Sequence, residues 1–233
     1  MAFKEFPLDG GGSVKIYKHR AARSLRLSIA AGGAVRVTIP AWAPYSAGLT
    51  FAKTRLDWIR EQQPATHSFL VDGQQIGKAH RLRFVASPAS KISTRIRETE
   101  IIVTYPARLA AYDADVQNAA TTASIRALRA QAERLLPQRL AELAARHGFT
   151  YKSVSVRSLK SRWGSCDQHK RVVLNLYLMQ LPWQLIDYVL LHELTHTVVL
   201  AHGPKFWTAM EEVEPHAKQL RKAMRDYRPI LGT

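Results

Sequence analysis

The stretch His-Glu-Leu-Thr-His at residues 192–196, followed by His202, constrains this chain more than any other feature. It lies within Trp183-Gln-Leu-Ile-Asp-Tyr-Val-Leu-Leu-His-Glu-Leu-Thr-His-Thr-Val-Val-Leu200. Leu185, Ile186, Val189, Leu190, Val198 and Val199 supply an apolar helical surface, and Pro182 suits a first-turn position. Two imidazoles four residues apart on a helix face the same way, about 6 Å along the axis. Both rings can then reach one metal ion at roughly 2.0–2.1 Å. A His-Glu pair inside such an apolar helix is costly to bury without a partner. The pattern is that of zinc hydrolases, and it predicts Glu193 beside a metal held by His192 and His196.

His202 is the expected third ligand, spaced as in an extended HExxHxxxxxH pattern. Many chains with that pattern carry glycine where Val199 stands here, and a β-branched residue resists positive φ. The helix is therefore expected to run to about Leu200 and to break at Ala201-His202-Gly203-Pro204. Glu211, Glu212 and Glu214 are rival third ligands, because zinc accepts two histidines with a carboxylate as well as three histidines. A divalent metal lowers the pKa of bound water toward ~7. Glu193 would take that proton and pass it to a leaving amine. Arg162, Asn175, Tyr177 and Tyr188 are all open as donors to the developing oxyanion or as substrate contacts. One Zn2+ per chain is preferred on ligand type and availability.

Around this helix, Val154–Arg157 and Val172–Leu178 read as strands of a hairpin, with Gly164 and the polar run Asp167–Lys170 between them. A hairpin beside the metal helix would offer an edge to which an extended peptide could add. Tyr112–His147 reads as helix, kinked or divided at Pro137 and stopped by Gly148. Phe206-Trp-Thr-Ala-Met210 opens another helix, interrupted near Pro215, with Phe206 and Trp207 wedged against the metal helix. Met210 and Met224 are not assignable to a methionine turn.

The amino-terminal half reads as β-rich. Val14–Lys18, Ser24–Ala30 and Ala34–Ile39 are expected strands, with Gly32-Gly33 a hairpin turn. Pro44–Gln63 has helical spacing; Phe69–Val71, His80–Val85, Ile92–Arg97 and Ile101–Tyr105 follow as strands. No internal repeat is visible, and His67 and His80 read as isolated surface or packing residues.

Several segments together resemble the YgjP-like metallopeptidase family, itself similar to the SprT-like zincins. They are Ser161-Arg-Trp-Gly-Ser-Cys166, Asn175-Leu-Tyr-Leu178, Tyr188-Val-Leu-Leu-His-Glu-Leu-Thr-His196 and His202-Gly-Pro-Lys-Phe-Trp207. Arg23–Ser28, Val35–Pro40 and Asp57–Arg60 resemble its amino-terminal part. The resemblance implies a zincin fold with His192, His196 and His202 as ligands and Glu193 as the catalytic carboxylate. The expected architecture is α+β. A zincin-like domain over 111–233, its HExxH helix beside a small antiparallel sheet, follows a basic β-rich region over 1–110.

Charge widens the range of partners beyond a protein or peptide substrate. The net charge is +16 with a pI near 10.3, and residues 1–110 hold 17 basic against 7 acidic residues. Such a surface attracts phosphate polymers, although no C2H2 finger or RRM signature is present. The competing readings are a metal-dependent nucleotide phosphohydrolase (a pyrophosphatase), a basic nucleic-acid-binding protein and a DNA-associated protease. Cys166 is the only cysteine, which excludes an intrachain disulfide and suits a reducing compartment. It reads as a small buried thiol rather than a nucleophile. No run approaches the ~20 apolar residues of a membrane span, and the first residues lack a secretory apolar region. A cytoplasmic location and no membrane partner are the resulting expectations.

Overall fold

The computed structural model describes residues 3–8, 13–29, 34–62, 69–227 and 231. The expected turn at Gly32-Gly33 and His67 lie outside them. The fold is α+β and divides into two compact units, 1–68 and 69–232. The division by packing thus falls earlier than the change of character expected at 110.

The first unit contains β1 (Phe3–Pro7), β2 (Ser13–His19), β3 (Arg26–Ile29) and β4 (Val35–Pro40) in the spatial order β1-β2-β4-β3. Helix α1 (Tyr45–Lys53) packs on β2 and β4, and α2 (Leu56–Gln62) follows. The single helix expected over Pro44–Gln63 is thus two. Val14, Ile16, Val35, Val37 and Ile39 form the buried face of this sheet. Gly48 lets α1 approach closely, because a Cβ there would lie 2.9 Å from Ile16 Cγ2 and 3.0 Å from Ile39 Cγ2.

The second unit opens with β5 (Gln75–Ile76), β6 (His80–Ser87), β7 (Ser93–Ile96) and β8 (Glu100–Pro106), in the order β5-β6-β8-β7. This is the topology of the first sheet again: an antiparallel pair, a parallel crossover, then an antiparallel pair. The registers correspond residue for residue. Val14 pairs with Val35 and Ile16 with Val37; Leu82 pairs with Ile101 and Phe84 with Val103. The fourth strands end alike, in Val37-Thr-Ile-Pro40 and Val103-Thr-Tyr-Pro106. The expectation of no repeat is therefore corrected. With so few side chains in common, the repeat is carried by alternation and register, which a search for identical residues misses. Phe69–Val71 is not a strand, because the Leu70 backbone is held by Gln117, whose Oε1 accepts the Leu70 N–H at 2.8 Å.

Helix α3 (Ala114–His147) is the spine of this unit. Its buried face begins at Val116 and continues with Ala120, Ala123 and Ala127, small enough for close approach to the preceding sheet. It continues with Leu136, Leu140 and Leu143, in the half that meets the elements of the site. Pro137 does not divide it: the helix runs unbroken to a left-handed cap at Gly148, φ 73°. The buried leucines on either side of Pro137 outweigh the missing N–H.

Ser124 and Gln131 are the polar residues of that face, and Gln131, 3% exposed, is clamped. Its Oε1 accepts from the Lys78 and Ala79 N–H groups at 2.6 and 3.1 Å; its Nε2 lies 3.2 Å from the Ile76 carbonyl and 2.7 Å from His80 Nδ1. His80 is therefore a buried packing residue rather than an isolated surface one. We expect Gln131→Leu, which keeps the volume, to strand two backbone N–H groups and cost about 2–4 kcal/mol. Urea unfolding checks this, and an unchanged midpoint would remove the clamp from the account.

A candidate metal centre

The sheet beside the site is mixed rather than antiparallel. β9 (Ser153–Arg157) pairs parallel to β11 (Arg171–Asn175), and β10 (Gly164–Cys166) pairs antiparallel to it from the other side. The expected hairpin partner of β11 is thus β10, and β9 reaches β11 from outside that hairpin. β11 also stops at Asn175, and Leu176–Gln180 forms a 3-10 turn. Asn175 accounts for the stop. Its Oδ1 accepts the Tyr177 N–H at 3.2 Å, and its Nδ2 donates to the Leu159 and Arg162 carbonyls, both at 2.9 Å.

Helix α4 (Trp183–Thr195) follows, with Pro182 at its N-cap. A bidentate pair joins it to α3, Arg139 donating to Asp187 at 2.8 and 2.7 Å. The helix ends earlier than the expected Leu200. The Thr195 and Thr197 hydroxyls donate to the Leu191 and Leu194 carbonyls at 2.8 and 2.7 Å, competing with the backbone ladder at this end. The chain turns at 196–199, and His202 is brought back over the helix from the loop before α5 (Pro204–Val213).

The three imidazoles meet. His202 Nε2 lies 2.9 Å from His192 Nε2 and 3.0 Å from His196 Nε2. Phe206 lies against all three rings, with centroids 4.9, 4.5 and 4.8 Å away, and is fully buried. The wedge expected of Phe206 is present as an apolar packing surface shared by the three histidines. His196 Nδ1 sits 3.1 Å from the Val199 carbonyl, which assigns the proton to Nδ1 and leaves the Nε2 lone pair toward the cluster.

These residues fit a divalent cation. Ligands 2.0–2.1 Å from a tetrahedral ion are about 3.3 Å apart, close to the separations found. Burial and the two neighbouring imidazoles push His192 down to about 3, and burial lowers His196 as well, so these two rings keep lone pairs for a ligand. Glu211 instead pairs with Lys218 at 2.9 Å, and Glu214 accepts the His216 N–H at 3.0 Å. Among the described residues the metal-capable cluster is His192, His196 and His202, without Glu212.

Glu193 borders the same cleft and is 4% exposed. Burial pushes its carboxyl up to about 8, while the Arg162 charge draws it down. The cleft has a volume of about 640 Å3. Arg162 and Tyr188 line it; Asn175 and Tyr177 do not and are buried elsewhere, the former as a loop clamp. Cys166 also lines it, its thiol pushed up to about 11 by burial, with Glu193 and Asp167 adding to the shift.

Two features of the cleft were not read from the sequence. Gly164, read only as part of the connection between strands, lies directly over Glu193. A Cβ there would come within 2.7 Å of Glu193 Oε1 and 2.9 Å of its Cδ. Helix α6 (Ala217–Asp226) supplies a wall through Arg221, Met224 and Arg225. Nothing local in the sequence ties α6 to a helix some thirty residues earlier.

An α+β protein with three convergent histidines and an adjacent buried carboxylate belongs to the metal-dependent hydrolases in its chemistry. The chain is a member of the YgjP-like family, whose metallopeptidase domain matches residues 23–227. Among solved structures it is similar to the metallopeptidase zymogen of Pyrococcus abyssi abylysin, at 22% identity and a TM-score of 0.37, over 40% of this chain and 93% of that one. It is also similar to the metallopeptidase zymogen of Methanocaldococcus jannaschii jannalysin, at 18% identity and a TM-score of 0.35, over 39% of this chain and 94% of that one. No curated protein matches it.

We expect Gly164→Ala to displace the Glu193 carboxylate and to lower kcat/KM for peptide hydrolysis about 100-fold or more. Far-UV circular dichroism and bound metal should be unchanged. Wild-type kcat/KM in this variant would show that the position of Glu193 is not set by residue 164.

Proposed function

We propose that this metal-dependent peptidase holds one zinc ion through His192, His196 and His202 and uses Glu193 as its general base. The observation that carries the reading is the convergence of three Nε2 atoms beside one buried carboxylate. Neutral imidazoles suit zinc by ligand type. When bound, the cation supplies Lewis acidity toward water and toward a carbonyl oxygen.

Glu193 takes the proton of the attacking water and delivers it to the leaving nitrogen. Gly164 holds that carboxylate in place. The Arg162 charge opposes the upward push of burial on Glu193, and a cation held by His192, His196 and His202 would add to it, favouring the carboxylate that accepts the proton. Arg162 and Tyr188, both at the cleft, are the proposed stabilisers of negative charge on the carbonyl oxygen. β10 is an edge strand with β11 as its one neighbour, so an extended substrate can pair with its free side. A cytoplasmic location is proposed from the single cysteine; no described helix is long and apolar enough to cross a membrane.

Metal analysis tests the assignment. We expect stoichiometric zinc in the parent and its loss in His196→Ala and His202→Ala. Glu193→Gln should retain zinc but not cleave casein. Pyrophosphate release from nucleotides without casein cleavage would favour the phosphohydrolase reading instead.

A second surface favours a nucleic-acid partner. The face of the first sheet opposite α1 carries Lys15, Tyr17 and Arg36, with Phe3 and Arg26 paired into the same rows. The Arg36 guanidinium lies 4.0 Å over the Tyr17 ring, and the Phe3 and Tyr17 centroids are 5.2 Å apart. We propose that single-stranded nucleic acid docks here, bases on the rings and phosphates on the cations. Fluorescence anisotropy with an oligonucleotide should show log K falling with log salt, and Arg36→Glu should flatten the slope by about 0.7 or more. Binding indifferent to both salt and Arg36 would exclude this face.

A further inference from the structure

The peptidase reading leaves open what the cleft prefers, and the charges along its walls bear on that. Arg162, just before β10, stands on one wall, and Arg221 and Arg225 of α6 stand on another. Glu193 is the only acid among the lining residues. The volume, about 640 Å3, lies in the ~300–1,000 Å3 range of clefts that enclose a small ligand.

Most arginines of this unit with described ion pairs face solvent or lock helices together. Arg83, Arg129, Arg139 and Arg171 each meet a carboxylate. Arg162 and Arg221 do not: among the described residues, neither guanidinium has a hydrogen bond or ion pair. Arg221 is nonetheless held, its guanidinium carbon 4.4 Å over the Trp207 ring. Trp207 lies beside the metal centre, its ring centroid 6.2 Å from those of both His192 and His202. Stacking occupies the face of a guanidinium and leaves its in-plane N–H donors for a ligand. Its charge is felt inside the site, where it lowers His192 and opposes the rise at Tyr188.

A stacked, unpaired guanidinium at the mouth of a cleft suits a carboxylate, which it can grip through two parallel N–H···O bonds. We propose that Arg221, with Arg162 across the cleft, selects peptides that carry a carboxylate close to the scissile bond. The carboxylate is supplied by an acidic side chain or by a free C-terminus. This rests on the peptidase reading above. Lysine or arginine at the same place in a substrate meets the two cations and is disfavoured.

Matched fluorogenic peptides with Glu, Gln or Lys scanned on each side of the bond test the proposal, each made with a free and an amidated C-terminus. A Glu peptide should give kcat/KM about tenfold above its Gln partner at low salt, mainly through KM, and the gap should narrow as salt rises. A preference confined to free C-termini assigns the site to the terminal carboxylate, and one that survives amidation assigns it to a side chain. Arg221→Gln should remove the preference, Arg221→Glu should turn it toward Lys, and Lys222→Gln on the same helix should leave it intact. Should the Arg221 variants unfold by circular dichroism, Arg162→Gln serves as a second probe, read as the ratio of Glu-peptide to Gln-peptide binding by anisotropy and not as turnover, to which Arg162 also contributes. Anisotropy with the metal-stripped Glu193→Gln protein reads the same preference as binding alone. Equal kcat/KM for Glu, Gln and Lys peptides in an active enzyme overturns the anion site. Absence of cleavage of every peptide by the metal-loaded protein overturns the peptidase reading instead, and tighter binding of the acidic peptides would still sustain the anion site.

Discussion

His202 Nε2 stands about 3 Å from the Nε2 atoms of His192 and His196, with Phe206 packed against all three rings, and the elements around α4 converge on that contact. Phe206 lies under the rings, α4 carries two of them, and the Thr195 and Thr197 hydroxyls bring that helix to an end in time for the chain to return with the third. His196, its Nδ1 proton directed at the Val199 carbonyl, turns a bare Nε2 lone pair toward the other two rings. A cation accepts all three at once, and this is the reason for treating the cluster as a site rather than as a stack of core histidines.

The position of the acid is fixed by a different device. Glu193 faces the cleft at the one place where the neighbouring strand has no side chain. Burial raises its proton affinity and the Arg162 charge acts against that rise, as a cation held by the three histidines would. The carboxylate is thus set between opposing influences from β10, Arg162 and the metal position. The arginines of α6 extend the positive field outward along the cleft.

Much of this was legible in the residues themselves. The i, i+4 histidines and the apolar run around them marked α4, and Gly148 marked the end of α3, because those signals are local and periodic. Pro137 does not divide α3, since the missing N–H is tolerated when leucines on both sides are buried along a common face. The extent of α4 was overdrawn because side-chain hydroxyls, which carry no periodicity, decide where it stops. β9 and β11 looked like a hairpin because alternation reports which face is buried but not strand direction. Asn175 and Tyr177 were open as oxyanion donors because their side chains can donate, yet their backbone path turns them into the packed interior. Gly164 and Arg221 depend on contacts between distant segments, which one sequence does not display.

The paired sheets have a consequence for how such a molecule could arise. One four-stranded pattern is used twice, each time followed by a helix laid on the same face. In the first copy that helix is nine residues long; in the second it is thirty-four. The added length carries the second helix past its own sheet and gives the histidine-bearing segment a surface to fold against. The same four-stranded pattern thus carries a short helix in one unit and, in the other, a long one against which the histidine-bearing elements pack.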